Sequence, residues 1–419
     1  MNDLTLAEFL DGEWRPALGC TEPASIAYAA SLAARQAGGE VQRVSVVCDP
    51  RMYKNCFAVG IPNSGHKTGL RWAIALGALL PDPEARLEVL RQVTPDILER
   101  AGRLIEEGRV AADVDPARME LFVDCLVETD LGSARVVIEG EHTRVTRIER
   151  NGVAVSGGSV AAAGVPSVRE RFADMSFDAM IVLADGANAE CCERLRHGVA
   201  LNTAIAQHGL SLLPGPFVGD AADSVEALAG KLVCAGVYAR MWGADMPVMS
   251  LAGSGNKGIS VTVPLALQAE RTHAGTERAD QALALACLVT SATTHHLGTL
   301  SAVCGCSNAA GVGLAAGLVY LEGGDAQHVS MAVTNMVGNV AGMICDGAKI
   351  GCALKTMSGV DAAFRAASLA MSGVTIPDTD GIVGSDGLAS LRNLGRIAVQ
   401  GMVSVDSEVL DILRAKMAA

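Results

Sequence analysis

The stretch MELFVDCLVETDLGSARVVIEGEHTRVTRIERNGVAVS, residues 119–156, decides the fold. MELFVDCLVET, ARVVIEG, TRVTRIER and VAVS are short β-branched runs separated by Gly or Asn-Gly. That pattern predicts an antiparallel sheet with a hairpin turn at Asn151-Gly152. Upstream, VQRVSVVCDP (41–50) alternates like a further strand, and FAVGIPNSGHKTG (57–69) is punctuated as a loop. Elsewhere the periodicity is helical, over Leu70–Leu80, Pro83–Glu107 and Pro166–Gly209, and then from about residue 222 to the end. The expectation is an α+β protein. Residues 1–85 are the N-terminal part of a mainly helical catalytic domain, with a short strand region. Residues 86–221 are a smaller inserted α/β domain built on the antiparallel sheet, and residues 222–419 are the rest of the helical domain.

Composition narrows the function. Half of the 419 residues are hydrophobic, only 3% are aromatic and 46 are Gly, so the interior is expected to consist of closely packed, small-residue helices. A formal net charge of -13 argues against nucleic acid and anionic membrane surfaces as partners. The start, MNDLTLAEFLDGEW, is acidic and lacks the basic region of a signal peptide. The longest apolar run, Ala309 to Leu321, is 13 residues and suits a buried helix better than a membrane span. A soluble, cytoplasmic protein is expected. Disulfides are then disfavoured for its 12 cysteines, five of which fall between residues 287 and 352. No C-x-x-C pair occurs, which weakens zinc-ribbon and thioredoxin readings.

Several short segments carry candidate chemistry. ICDGAKIGC (344–352) looks helical and places Cys345 and Cys352 seven apart. On a regular helix they share a face at about 10 Å, beyond the roughly 7 Å that a disulfide tolerates. Serving one centre therefore requires a bend, for which Asp346-Gly347 and Gly351 are suited. Without that centre, both are buried thiols acting as small hydrophobes. In GCTEP (19–23), Thr21 as N-cap with Pro23 inside marks a helix start. Cys20 would stand at that positive helix end, where a thiol pKa is lowered.

AGSGNKGISVTVP (252–264) is a Gly-rich loop whose amides suit an anion, either carboxylate or phosphate, although it lacks the Walker spacing. Its Lys257 is also placed for a Schiff base. In THHLG (294–298), at most one of the adjacent histidines faces a site. CGCSNAAGVGLAAGLVYLEGG (304–324) sets Cys306 before an apolar helix that Ser307 or Asn308 caps. Cys304 and Cys306 would make a zinc half-site without a clear second pair.

The order Cys306-Ser-Asn-Ala-Ala-Gly, then Cys345-Asp346, then Cys352 resembles the iron–sulfur L-serine dehydratase α-domain. That resemblance implies a [4Fe–4S] cluster held by Cys306, Cys345 and Cys352, oxygen-sensitive and with one iron open. A match along nearly the whole chain is closer. GCTEP, KNCFAVGIPNSGHKTG (54–69), GSGNKGISVTVP (253–264) and ICDGAKIGC resemble the L-cysteine desulfidase family.

The implied activity is α,β-elimination of L-cysteine to pyruvate, ammonia and hydrogen sulfide. Cys20 is implied as base or as fourth cluster ligand. Lys257 and the Gly253–Gly258 amides, with Ser254 and Gly255, are candidates for holding the substrate carboxylate, and Asn55, Asn256 and His295 are candidates for further polar contacts. The serine dehydratases end on a cysteine that covers the open iron; this chain ends AKMAA. Alternatives are L-serine dehydratase, a pyridoxal-phosphate lyase using Lys257, and a cluster-binding redox or sulfur sensor without turnover. The expected partner is a small amino acid, with a homodimer as the expected assembly.

Overall fold

The computed structural model describes residues 4–80, 82–118, 120–155, 167–218 and 224–418. Met119, Ser156, Pro166 and the 221/222 boundary lie outside them. In chain order the N-terminal half holds α1 (Leu6–Glu13), β1 (Trp14–Leu18), α2 (Thr21–Ala37), β2 (Val41–Cys48), α3 (Pro50–Cys56), α4 (Leu70–Leu79), α5 (Pro95–Glu106), β3 (Val110–Val114), β4 (Phe122–Thr129), β5 (Gly132–Glu139), β6 (Val145–Arg150) and β7 (Val153–Ala154). There follow α6 (Val168–Phe172), α7 (Phe177–Asp185), α8 (Ala189–Leu210), α9 (Gly215–Val218), α10 (Val225–Trp242), β8 (Pro247–Leu251), α11 (Gly255–Arg271), α12 (Thr276–Leu297), α13 (Asn308–Leu321), α14 (Ala326–Val340), α15 (Cys352–Met371), α16 (Gly387–Arg396) and α17 (Val403–Ala418).

The expected α+β architecture is present. One sheet has the order β3-β2-β4-β5-β6-β7 and is antiparallel except for the β2–β3 pair. Asn151 and Gly152 both have positive φ, as a two-residue hairpin turn of the favoured twist requires. Helix α2 packs on β4 and β5, and its alanines and serines let α4 lie close on its other side. These elements share one hydrophobic core, from Ala17 to Ile148, joined by Leu300. A second, larger core gathers α1 and most of the chain after Val168. In it α13, buried along its whole length, is surrounded by α11, α12, α14 and α15. Helices α6 to α8, read from sequence as part of the insert, pack into this larger core.

Four local readings change. Residues 83–107 are two pieces, a 3-10 turn over Pro83–Gln92 broken at Arg86 (φ 47) and then α5. The run ISVTVP belongs to the first turns of α11, with Pro264 inside the helix. Cys20 is itself the N-cap of α2, so Thr21 is its first helical residue. The segment 344–352 is not helical, because α14 ends at Val340 and α15 begins at Cys352. Strand β1 pairs antiparallel with β8, a contact between residues more than 200 positions apart that local patterning does not reveal. No helix among the described residues is long and apolar enough to cross a membrane.

Candidate active site

The candidate site forms where three chain breaks meet the start of α2. Residues 302–304 and 343–345 lie antiparallel through the Val303–Ile344 bridge. Cys304 N–H donates to Met343 O (2.8 Å) and Cys345 N–H to Ala302 O (2.7 Å). Cys345 is thus opposite Ala302, and alternation puts Cys304 diagonally across on the same face. The chain then turns at Gly347, whose φ is 99° and whose Cα abuts the Lys54 carbonyl, leaving no room for a side chain. This bend brings in Cys352 as the first residue of α15, its Sγ 3.6 Å from Gly347 O. Cys306, in the turn before α13, lies 3.4 Å from Ser254 Oγ.

Cys304, Cys306 and Cys352 each respond to the charge of neighbouring thiols. Burial raises the Cys304 pKa well above the ordinary thiol value, and Cys306, Cys345 and Cys352 add to that. Burial, followed by Cys306 and Cys345, pushes Cys352 up to about 12. Burial also raises Cys306, while Lys257 and the Ser254 hydrogen bond oppose it. Among the described residues, no three Cys, His, Asp or Glu side chains surround a single-ion position. A [4Fe–4S] cube makes a different demand, taking each thiolate at a separate corner. Mutually interacting thiols on three segments are a donor set of the right chemistry for it, and binding there would deprotonate them.

The N-terminal side of the site comes from α2 and α3. Asn55 bridges the two halves: its Nδ2 donates to Glu22 Oε1 (3.0 Å), and its Oδ1 accepts a weak bond from the Cys345 thiol (3.9 Å). Lys54 Nζ donates to Cys345 O (2.7 Å) and Ser301 O (3.3 Å) and pairs with Asp406 of α17. The Cys20 thiol donates to Glu22 Oε2 at 2.7 Å. The expectation of a low Cys20 pKa is overturned. Burial and the adjacent Glu22 carboxylate push the thiol well above its ordinary value. The partial charge of a helix end is smaller than these two effects. Burial also works to raise Glu22, but His142, the Cys20 hydrogen bond and Arg240 together hold it below the usual carboxylate value.

The opposite wall is the start of α11. Gly253 has φ 77 and its carbonyl accepts from Thr21 Oγ1 at 3.0 Å. Lys257 is buried, donating to Ala252 O (3.1 Å) and Thr294 Oγ1 (3.0 Å). Burial, then Arg169, lowers its pKa to about 8 against the pull of Cys306, Glu13 and Glu22. A Cβ at Gly305 would lie 3.2 Å from Lys257 Cε, so the lysine stem runs beside the Cys304–Cys306 turn. Asn256 Oδ1 accepts from Arg240 Nη1 at 2.8 Å. His142, from the β5–β6 connection, has its Nδ1 3.3 Å from where a Cβ of Gly253 would stand. Its pKa falls to about 4 through burial, then Arg169, Lys257 and Arg240, with Glu22 opposing. A cleft of about 40 Å³ reaches His142 and Gly253 from beside Arg15 and Arg169.

Cys20, Asn55, Gly253, Ser254, Gly255, Asn256, Lys257, Cys306, Cys345 and Cys352 thus surround one region. His295 does not join them. It is exposed near the end of α12 and lines a separate cavity of about 430 Å³ with Arg51, Arg144 and Arg169. Sequence reasoning missed Glu22, Lys54, His142 and Arg240. Glu22 and Lys54 sit inside quoted motifs, whereas His142 and Arg240 carry no local signal.

The model of the family described as serine dehydratase alpha chain matches residues 84–411. The chain belongs to that family. The matched span holds the four thiols, Lys257, Arg240 and His142, while Cys20, Glu22 and Asn55 precede it. Other relatives match along nearly the whole chain, that N-terminal part included. The UPF0597 protein GSU1527 of Geobacter sulfurreducens is 38% identical over 420 residues, covering 98% of both chains. The UPF0597 protein of Oleidesulfovibrio alaskensis is 38% identical, covering 98% of this chain and 97% of its own. UPF0597 protein TTE0269 of Caldanaerobacter subterraneus subsp. tengcongensis is 35% identical over 99% of both. This member of the serine dehydratase alpha chain family therefore matches those proteins over nearly its whole length.

Proposed function

We propose that this chain is an iron–sulfur-dependent L-cysteine desulfidase, releasing pyruvate, ammonia and hydrogen sulfide. The observation that carries the reading is the juxtaposition of a buried lysine of lowered pKa with the Cys304–Cys306 turn and the Cys345–Cys352 bend. Cys306, Cys345 and Cys352 would hold a [4Fe–4S] cluster, which when bound supplies a Lewis-acidic iron to which a sulfur leaving group is well matched.

The chain's own residues account for the proton chemistry. Lys257 is neutral at mildly alkaline pH, and its Nζ accepts the Cα proton, a role suited to a group whose pKa lies near the working pH. The electron pair of the broken Cα–H bond forms the Cα–Cβ double bond as the Cβ–S bond breaks. Sulfur leaves with that bond's electrons and is protonated to hydrogen sulfide. The resulting enamine tautomerises, and water hydrolyses it to pyruvate and ammonia. No electron is gained or lost overall. Cys20 takes no part as a base. Its thiol stays protonated, with Glu22 accepting its hydrogen bond, and so holds the carboxylate in place. Burial behind Ala252 and Thr294 keeps bulk water from Lys257.

The description of the matched family favours L-serine as a second substrate by the same elimination, with water leaving. The test is protein purified without oxygen, assayed for iron, acid-labile sulfide, sulfide release from L-cysteine and pyruvate from L-serine. A higher kcat/KM for cysteine supports the desulfidase, and the reverse order makes it a serine dehydratase. A cluster without turnover supports the sensor. Full activity without iron, destroyed by borohydride treatment of the enzyme before substrate is added, assigns the chemistry to Lys257 and pyridoxal phosphate. Cys306→Ala, Cys345→Ala and Cys352→Ala should each lose iron, and iron kept by all three would overturn the ligand set. Cytoplasmic location and homodimeric assembly belong to the same proposal, and light scattering on the eluted protein tests the latter.

A further inference from the structure

Arg240 is 1% exposed, and only one of its three guanidinium nitrogens has a protein partner. Nη1 donates to Asn256 Oδ1 at 2.8 Å, while Nε and Nη2 have none. Those two nitrogens form the side edge of the guanidinium, whose parallel N–H bonds match the two oxygens of a carboxylate. The same edge of buried Arg169 shows what fills it, with Nε 2.9 Å from Glu13 Oε2 and Nη2 3.2 Å from Glu13 Oε1. No carboxylate of the described chain fills that of Arg240. Glu22 acts on the same region, but its oxygens serve Cys20, Thr21 and Asn55. A buried cation left this way is costly unless something else pairs with it.

The surroundings of that edge are also built for an anion. A Cβ at Gly255 would come within 2.5 Å of Arg240 Nε, so the guanidinium lies against the first residue of α11. Ser254 makes no side-chain cap there, and the first helical hydrogen bond is Gly258 N–H to Ser254 O. The amides of Gly255, Asn256 and Lys257 therefore have no intrahelical acceptor, and the helix end is positive. His142, whose ring lies beside Gly253 two residues before Gly255, has its buried Nε2 without a partner. Ser254, the residue before Gly255, lies 3.4 Å from the Cys306 thiol, which sets this edge beside the proposed reaction centre.

We infer that the free edge of Arg240, with the α11 amides, binds the α-carboxylate of the amino-acid substrate. The site then selects α-amino acids over amines or amides of the same side chain. This rests on the proposed function for the identity of the substrate, but carboxylate binding is measurable without turnover.

The experiment uses anaerobically purified holoprotein, with calorimetric titration of L-alanine, which carries no leaving group, and of L-alaninamide. The wild type should bind L-alanine at least about 10-fold more tightly than the amide, the scale of a charged hydrogen-bond pair. Arg240→Gln should lose about 10- to 100-fold of L-alanine affinity and bind both compounds alike. Arg240→Lys, which keeps the charge but not the fork, should fall between. In turnover, the KM for L-cysteine should rise more than kcat falls. Equal wild-type affinity for L-alanine and its amide would overturn the inference without any variant. So would an Arg240→Gln protein of native circular dichroism with unchanged L-cysteine KM. Arg240-dependent L-alanine binding without turnover would keep this inference and remove the lyase. Turnover with an Arg240-independent KM would do the opposite.

Discussion

Two groups of buried cations lie within this fold and differ in one respect. In the first, Arg51 and Lys54 of α3 close on Asp406 of α17, and Arg169 closes on Glu13, which also accepts from Ser291. Each cation there has a carboxylate in direct contact, and the effect is to tie together segments far apart in sequence. In the second, Lys257 has only neutral oxygens as acceptors and Arg240 has one amide oxygen. The first group is electrostatically complete; the second needs something the described residues do not supply. Buried charge that lacks a counter-charge destabilises a fold, so its presence beside four thiols is what the proposed function accounts for.

The sharpest way to break that comparison is Lys257→Met. Under the proposed function kcat should drop about 10²- to 10⁴-fold, the range for a lost general base. Stability should move the other way. The folded lysine has its pKa lowered from 10.5 to about 8, so the unfolded chain binds the proton more strongly. Burying the charged amine therefore costs stability below pH 8, and this penalty fades as pH rises from about 8 to 10.5. The difference corresponds to roughly 3 kcal/mol. Denaturant unfolding at pH 7 should show the variant no less stable than the wild type, with its relative advantage shrinking towards pH 10. A variant much less stable at pH 7 would place Lys257 with the structural group.

Asp406→Ala is the converse. It strands two buried cations and should cost about 3–5 kcal/mol in the same unfolding experiment. A loss below about 1 kcal/mol would show that these cations find other partners. The pH profile gives a smaller effect. As Lys257 becomes protonated below about pH 8, kcat should fall roughly tenfold for each further pH unit. A profile flat from pH 6 to 9 would remove Lys257 as the base. Smallest is Glu99→Gln, which breaks an exposed pair with Arg103 at 2.7 Å. It should change stability by less than about 0.5 kcal/mol and leave kinetics untouched.

Legibility followed the range of the interactions concerned. The β4–β7 meander was readable because alternation and an Asn-Gly turn are local properties. The bend at 345–352 was not readable from the segment alone, since helix geometry asks for it only if Cys345 and Cys352 serve one centre, which the family resemblance implied. The segment itself was misread as helical, since its Ala, Lys and Ile suit a helix and only the pairing of 302–304 with 343–345 draws it out. The start of α11 was misread in the other sense. Its β-branched run enters a helix because that face is buried against α8, α10 and α13. Cys20 was placed correctly at a helix terminus and given the wrong charge. The helix end is visible in sequence, but complete burial and a hydrogen bond to Glu22 are not.

By itself, then, the sequence determined the two kinds of secondary structure, the thiol and glycine positions that the site requires, and the family to which they belong. These are properties of spacing and residue type, read within a few turns of chain. Only the tertiary structure decided which charged groups find partners. Glu13 meets Arg169 across 156 positions and Asp406 meets Lys54 across 352, whereas no acid of the described residues comes to the free edge of Arg240. Pairing in a low-dielectric interior depends on distances of a few ångströms between residues remote in the chain, and that is what sets a lysine near pH 8 and leaves a guanidinium edge open.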